Sequence, residues 1–252
     1  MIKTRIIPTL LYKNFGLVKG TRFDSWRRVG GLLQSVKVYS LRGVDEMIFL
    51  DISATSENRR PDFELIDDFA DECFMPLTVG GGIRDVEDVK KLLECGADKV
   101  AINTAAFTSP QIIGEAAKKF GSQSIVVSVD VKSLGGDKYE VCVNSGSKPT
   151  GQDPVAFAKK MEELGAGEIL LTSIDRDGSM QGYDIDLTEK VSKAVSIPVI
   201  ASGGAGNFKN MLDVLVKGKA SALAAASIFH FTHITPLDIK RYLSDSGIRV
   251  RA

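Results

Sequence analysis

Two glycine-rich turns carry the strongest chemical signal in this 252-residue chain. Gly80-Gly81-Gly82 and Ser202-Gly203-Gly204-Ala205-Gly206 each follow a short apolar, β-branched run and precede a helical stretch. Glycine lets backbone N–H groups approach an anion closely, and the helix that follows adds its positive end, so such turns hold phosphate. Asn103-Thr104-Ala105 and Ala225-Ala226-Ser227 end the next strands along and complete each site. A matched pair of anion sites predicts a ligand with two phosphates. Carboxylates supply the acid–base candidates, since Asp51, Asp130, Asp175 and Asp177 stand at or just after strand ends. Asp130 closes the run Val126-Val-Ser-Val-Asp130 and is the candidate general base or hydrogen-bond acceptor, whereas the matching place in the first half, the end of Ile6-Ile-Pro-Thr-Leu-Leu11, holds leucine. Four other charges, Arg5, Glu46, Lys99 and Glu168, open or precede apolar strands instead of ending them. Burying charge is costly without pairing. They are expected to converge at the opposite mouth of the fold, either as a salt-bridged plug or as a gate.

The elements that must position these residues come in a doubled unit. Met75-Pro-Leu-Thr-Val-Gly-Gly-Gly-Ile-Arg84 returns as Ile197-Pro-Val-Ile-Ala-Ser-Gly-Gly-Ala-Gly206, and the same offset of 122 carries Gly43 onto Gly165, Glu46 onto Glu168 and Gly96 onto Gly218. Repeats fix how elements pair before any other fold reasoning. Short β-branched runs alternate eight times with amphipathic helical stretches, which predicts a parallel sheet. The expected strands are Arg5–Leu10, Met47–Asp51, Pro76–Val79, Lys99–Asn103, Ile125–Asp130, Ile169–Ile174, Pro198–Ser202 and Ser221–Ala226. Helix starts are expected behind Asp85 and at Ser109-Pro110, Asp153-Pro154 and Thr235-Pro236, where a capping residue precedes proline at the first helical position. The long connections at about 12–31 and 131–151 read as non-helical, the second with Gly135-Gly136 at a hairpin turn. Eight strands of this kind predict one α/β domain over 1–252, a single (β/α)8 TIM barrel with a two-fold internal half-barrel repeat (about 1–122 and 123–252), whose active face carries the loops after the strands.

Composition narrows the function classes. Lys+Arg and Asp+Glu are equal at 32 each, so no net field favours nucleic acid or an anionic membrane surface, and any anion binding must be local. Cys73, Cys95 and Cys142 have no metal-ligand spacing, and no signal peptide or long apolar run is present, which predicts a reducing, cytoplasmic setting. His230 and His233, the two histidines, lie close together at the end of the last strand unit, so a histidine triad or metal site is not expected. Nothing in the motifs calls for a cofactor or metal.

Across nearly its whole length the chain resembles the cyclase subunit of imidazole glycerol phosphate synthase. The likeness is carried by Arg5-Ile-Ile, Val18-Lys-Gly, Phe49-Leu-Asp-Ile, Thr78-Val-Gly-Gly-Gly-Ile, Gly96-Ala-Asp-Lys-Val-Ala-Ile-Asn-Thr-Ala-Ala106, Gly165-Ala-Gly-Glu-Ile-Leu-Leu-Thr-Ser-Ile-Asp-Arg-Asp-Gly178, Ala201-Ser-Gly-Gly-Ala-Gly206 and Ser227-Ile-Phe-His-Phe231. The resemblance implies a bisphosphorylated ribosyl ligand at the C-terminal face, with Lys19, Gly81, Gly82, Asn103, Thr104, Gly203, Gly204, Ala226 and Ser227 at its phosphates and Asp51, Ser173 and Asp177 at its remainder. It also implies a glutaminase subunit docked on the N-terminal face, whose ammonia passes the ring matching Arg5, Glu46, Lys99 and Glu168 and crosses the barrel axis.

One departure redirects the expected activity. Catalytic members end the first strand with an aspartate that works with the one matching Asp130; here that residue is Leu11. Losing a positioned acid or base costs about 10² to 10⁴ in rate, and leucine carries no exchangeable proton. The favoured expectation is therefore a paralogue that keeps dock, gate and channel and hands ammonia to a separate amidotransferase acting on a surface-polysaccharide sugar. The alternative is a genuine cyclase of histidine biosynthesis. The related single-chain isomerase shares the repeat and both phosphate turns but has no use for an ammonia gate.

Overall fold

The structure, a computed structural model, describes residues 3–14 and 16–251. In chain order the elements are β1 (Arg5–Lys13), β2 (Gly16–Thr21), β3 (Asp24–Gly30), α1 (Leu32–Leu41), β4 (Met47–Asp51), α2 (Phe63–Asp71), β5 (Leu77–Gly80), α3 (Val86–Glu94), β6 (Lys99–Ile102), α4 (Thr104–Thr108), α5 (Gln111–Phe120), β7 (Ile125–Gly135), β8 (Lys138–Val143), β9 (Lys148–Pro149), α6 (Pro154–Glu163), β10 (Glu168–Ser173), α7 (Ile185–Ala194), β11 (Val199–Ser202), α8 (Phe208–Val216), β12 (Ala222–Ala225), α9 (Ser227–Phe231) and α10 (Pro236–Asp245). Eight parallel strands run β1-β4-β5-β6-β7-β10-β11-β12, and the β12–β1 and β7–β10 ladders close them into a barrel ringed by helices. Buried β-branched and leucine residues dominate these strands because both of their faces are covered, one by the barrel interior and one by helices.

All eight expected strands form. β1 and β7 run further than their apolar runs suggest, because the extensions fold back as antiparallel hairpins: Leu11 to Lys13 pairs with Gly16 to Val18, and Asp130 to Gly135 pairs with Lys138 to Cys142. The first long connection is thus a β2–β3 hairpin over the barrel mouth, and Gly135-Gly136 makes the turn of the second, both glycines at positive φ. Helix starts follow the capping rule at Asp85, Asp153 and Thr235, each accepting a backbone N–H of the first turn, with a full capping box at Thr235. Ser109 departs from it. α5 begins at Gln111, and no side chain caps it.

Strand alternation sorts the interior into three layers. On β1 the inward residues are Arg5, Ile7, Thr9 and Leu11; the β4 unit contributes Glu46, Ile48 and Leu50; the β6 unit contributes Lys99, Ala101 and Asn103; and β10 contributes Glu168, Leu170 and Thr172. Each series reads charged, then apolar, then cleft-lining. The apolar layer is completed by Val126, Ile200, Ala222 and Ala224. Outward residues such as Phe49, Val100, Val127 and Leu171 join the larger core beneath the helices.

The last residues tie the barrel floor together. Thr4 bridges Val250 and donates its N–H to Arg249 O at 2.8 Å. Lys240 on α10 reaches Asp45 at 2.7 Å, and Asp45 in turn accepts the Ile6 N–H at 2.9 Å, with both charged residues buried. Breaking a buried pair strands its partner charge. Asp45→Ala is expected to cost about 3 kcal/mol of unfolding free energy by urea denaturation; a loss below about 1 kcal/mol would mean that water compensates the pair.

Candidate functional site

The C-terminal ends of the barrel strands surround a solvent-open cleft of about 1150 Å³. The two glycine turns lie on opposite rims: β5 and β6 are the third and fourth strands of the ring, β11 and β12 the seventh and eighth. Gly81, Gly82, Gly203 and Gly204 line the cleft, as do Asn103, Thr104, Ala226 and Ser227. Two of the glycines are obligatory. Gly81 has φ 109°, and a Cβ there would stand 2.2 Å from Asp51 O; Gly204 has φ 107°, and its Cβ would meet Gly182 O at 2.1 Å. Among the described residues, no hydrogen bond uses the N–H of Gly82 or Gly204, and the buried hydroxyl of Ser227 has no partner. Each rim thus presents unused donors, the arrangement that anions seek. The Thr104 hydroxyl is already engaged, accepting from Asn144 N at 3.0 Å and lying 3.3 Å from Asn103 Oδ1.

Asp130 and Leu11 face the cleft from opposite strands, since β1 and β7 are four places apart in the ring of eight. The Asp130 carboxyl accepts one hydrogen bond, from Asn103 Nδ2 at 3.2 Å, and that amide also donates to Ser128 O at 3.0 Å. Asn103 therefore links one glycine-turn rim to the acid. Burial, helped by the charge of Asp177, pushes the Asp130 pKa up to about 7. A carboxyl that titrates near neutrality is fit for general acid or base work. No second carboxyl faces it from Leu11.

Lys19 and Asp177 come together although 158 residues separate them: the Lys19 Nζ lies 2.8 and 2.7 Å from the two Asp177 oxygens, and both residues are buried at the cleft wall. Asp51 also lines the cleft, but its Oδ1 accepts from Ser53 N, Ser53 Oγ and Ala54 N at 2.9–3.0 Å, and Arg59 approaches its Oδ2 at 3.3 Å. It is held as a turn anchor. Ser173 lies outside the cleft. The alternation of β10 turns Thr172 inward and Ser173 outward, where its hydroxyl is 3.5 Å from Asp184 Oδ2. Asp175 is likewise spent elsewhere, accepting Ser133 N at 2.7 Å to pin the second hairpin. His230 has its pKa lowered to about 4, first by burial and then by the Lys19 cation, so it stays neutral at physiological pH.

Sequence reasoning missed Phe23 and Trp26, which hang from the β2–β3 hairpin into the cleft. Phe23 holds a left-handed backbone (φ 59°) and presses on Gly146 in the turn between β8 and β9, where the glycine's Cβ position lies 2.6 Å from its ring. A signal was present: Trp26 is the chain's only tryptophan and falls in a long connection after a strand. Thr9 was missed as well; its buried hydroxyl faces the cleft without a partner.

At the other end of the barrel, the four expected charges close into an alternating ring. Arg5 Nη1 lies 3.0 Å from both Glu46 oxygens and 2.9 Å from Glu168, while Lys99 Nζ lies 3.2 Å from Glu46 and 3.1 Å from Glu168. Burial works against the Arg5 cation, but Glu168 and Glu46 outweigh it and the Arg5 pKa is raised. Arg251 approaches from outside, 3.7 Å from Glu46. No helix among the described residues is long and apolar enough to cross a membrane.

A closed eight-stranded parallel barrel, with a ligand cleft at the carboxyl ends of its strands, defines the class as a (β/α)8 barrel protein. The chain belongs to the histidine biosynthesis protein family, whose model matches residues 5–235.

The acid in this cleft carries a pH signature. The folded Asp130 binds its proton more tightly than the unfolded chain does, so its favourable contribution is full below the ordinary value of 3.8 and is lost as pH rises through about 7. Asp130→Asn is expected to raise the melting temperature by about 3 °C or more at pH 8, and to leave it unchanged at pH 4. Equal effects at both values would show that burial does not hold the proton there.

Proposed function

We propose that this chain is a relative of the imidazole glycerol phosphate synthase cyclase subunit that takes up ammonia from a separate glutaminase at its N-terminal face. The ammonia passes the ring of Arg5, Glu46, Lys99 and Glu168 and moves along the barrel axis to a cleft that holds phosphate groups at both rims. The carrying observation is an intact ring of paired charges beneath a cleft in which Leu11 faces Asp130. A plug alone would be better made from apolar residues, because burying four charges costs more than packing the same volume with hydrocarbon. The same face also leaves large apolar side chains in water at helix-to-strand connections: Leu41 is 87% and Phe74 86% exposed.

Leucine at position 11 removes half of the acid–base pair, so the nitrogen is handed on to a separate amidotransferase, the acceptor being a surface-polysaccharide sugar. One observation favours a second reading, that of a cyclase in histidine biosynthesis: Asp130 still titrates near neutrality in a cleft that keeps both glycine turns.

Two experiments test the reading. In the reconstituted complex with a glutaminase, Lys99→Met is expected to lower glutamine-dependent amination about tenfold or more while amination from free ammonium changes less than about twofold. Equal losses with both nitrogen sources, or no association with any glutaminase, would reduce the ring to a structural plug. For the cleft, the wild-type protein supplied with ammonium and the phosphoribosyl substrate of the cyclase is expected to be nearly inactive, and Leu11→Asp to raise turnover about 10²-fold. Fast wild-type cyclisation would favour the second reading.

A further inference from the structure

The Lys19–Asp177 pair sits where an anion is expected. It adjoins the turn after β11, since the Cβ position of Gly203 is 3.4 Å from Asp177 N, and its cation is felt by His230, three residues beyond Ser227 with its unpartnered hydroxyl. A buried lysine needs a counter-ion at all times, and both Asp177 oxygens serve. Asp177 also faces Asp130, so the three side chains form a row across one wall: cation, carboxylate, carboxyl. Among the described residues, the other titratable group set against Asp130 is Cys142, its register partner on β8, while Asp51 on β4 is held by Arg59. The remaining polar contact to Asp130 is the neutral Asn103 amide.

We propose that Asp177 is an internal stand-in for phosphate: a ligand phosphate displaces it from Lys19, and the freed Asp177 carboxylate drives Asp130 to take up one proton from solvent. Resting on the phosphate-binding reading of the cleft given above, this makes Asp177 a positioning residue that couples ligand arrival to the protonation state of the acid. The balance is simple. One anion enters, one hydrogen ion leaves bulk water for an Asp130 oxygen, and no covalent bond of the ligand changes. Like charges in close contact oppose joint ionisation. While Lys19 neutralises Asp177 that opposition is muted; once Lys19 turns to the phosphate it is felt in full. A ligand that arrives with its phosphate thereby meets a proton donor in place of a base.

Sulfate is the suitable probe, because it is dianionic throughout the relevant range and carries no proton of its own to exchange. The measurement is the ¹³C carboxyl titration of Asp130 in aspartate-labelled full-length protein, assigned with Asp130→Asn, with and without saturating sulfate. The wild-type midpoint is expected to rise by at least about half a pH unit on adding sulfate, and Asp177→Asn to abolish most of that rise. Lys19→Met, which strands Asp177 permanently, should raise the midpoint without sulfate, and the double variant Lys19→Met/Asp177→Asn should bring it back down, so the coupling can be read even if one single variant does not fold. If sulfate shifts the amides of Gly204 and Ser227 but leaves the Asp130 midpoint in place, or raises it equally in Asp177→Asn, the coupling is overturned while the anion site stands. If no amide of either glycine turn responds to sulfate, the phosphate-binding reading fails first and the coupling falls with it.

Discussion

Closure of the barrel gives every strand residue one of two places. Side chains alternate along a strand, and in a closed ring of eight the inward set has no edge through which to escape, so each inward position is committed to a layer. That commitment puts Arg5, Glu46, Lys99 and Glu168 on one floor, their neighbours two residues on in an apolar middle, and the next pair of steps in the cleft. The charges must then satisfy one another. Two cations alternate with two carboxylates, each within 3.2 Å of both neighbours of opposite sign, and the arrangement is fixed by strand phase before any partner is considered.

The same alternation governs the chemistry at the far end. Leu11 and Asp130 occupy inward positions on opposite strands, so the side chain directly across the barrel from the acid is hydrocarbon. Buried there with the charge of Asp177 nearby, the Asp130 carboxyl keeps its proton to near-neutral pH. The hairpins that grow from β1 and β7 cover precisely these two strands, and they bring Lys19, Phe23 and Trp26 over the cleft that the strands themselves leave open.

Much of this was legible in the chain. Parallel strands buried on both faces announce themselves as short β-branched runs, and glycine turns with helix caps mark where they end, which is why all eight strands and the glycine turns at the cleft rims could be placed. What escaped depends on information the local pattern does not contain. Lys132, Ser133 and Lys138 look like loop residues until β7 and β8 pair with each other. Thr172 and Ser173 offer adjacent hydroxyls, and a single step of strand phase decides which one meets the cleft. The pairing of Lys19 with Asp177 joins residues from the two halves of the chain, so each could be named as a ligand contact while their mutual neutralisation stayed hidden.

The charged floor divides unequally between the halves of the chain. Its two acids, Glu46 and Glu168, are mates under the 122-residue offset, but its cations are not: Lys99 maps onto Ser221, and Arg5, aligned through Leu11 and Asp130, maps onto Ser124. A barrel made by joining two copies of the first half would set four cations against two carboxylates at its floor, and two copies of the second half would supply acids alone. The glycine turns recur under the offset, one in each half of the chain. Charge neutrality at the floor does not; it draws on residues of both halves, which makes the whole barrel the smallest unit that can carry the ring.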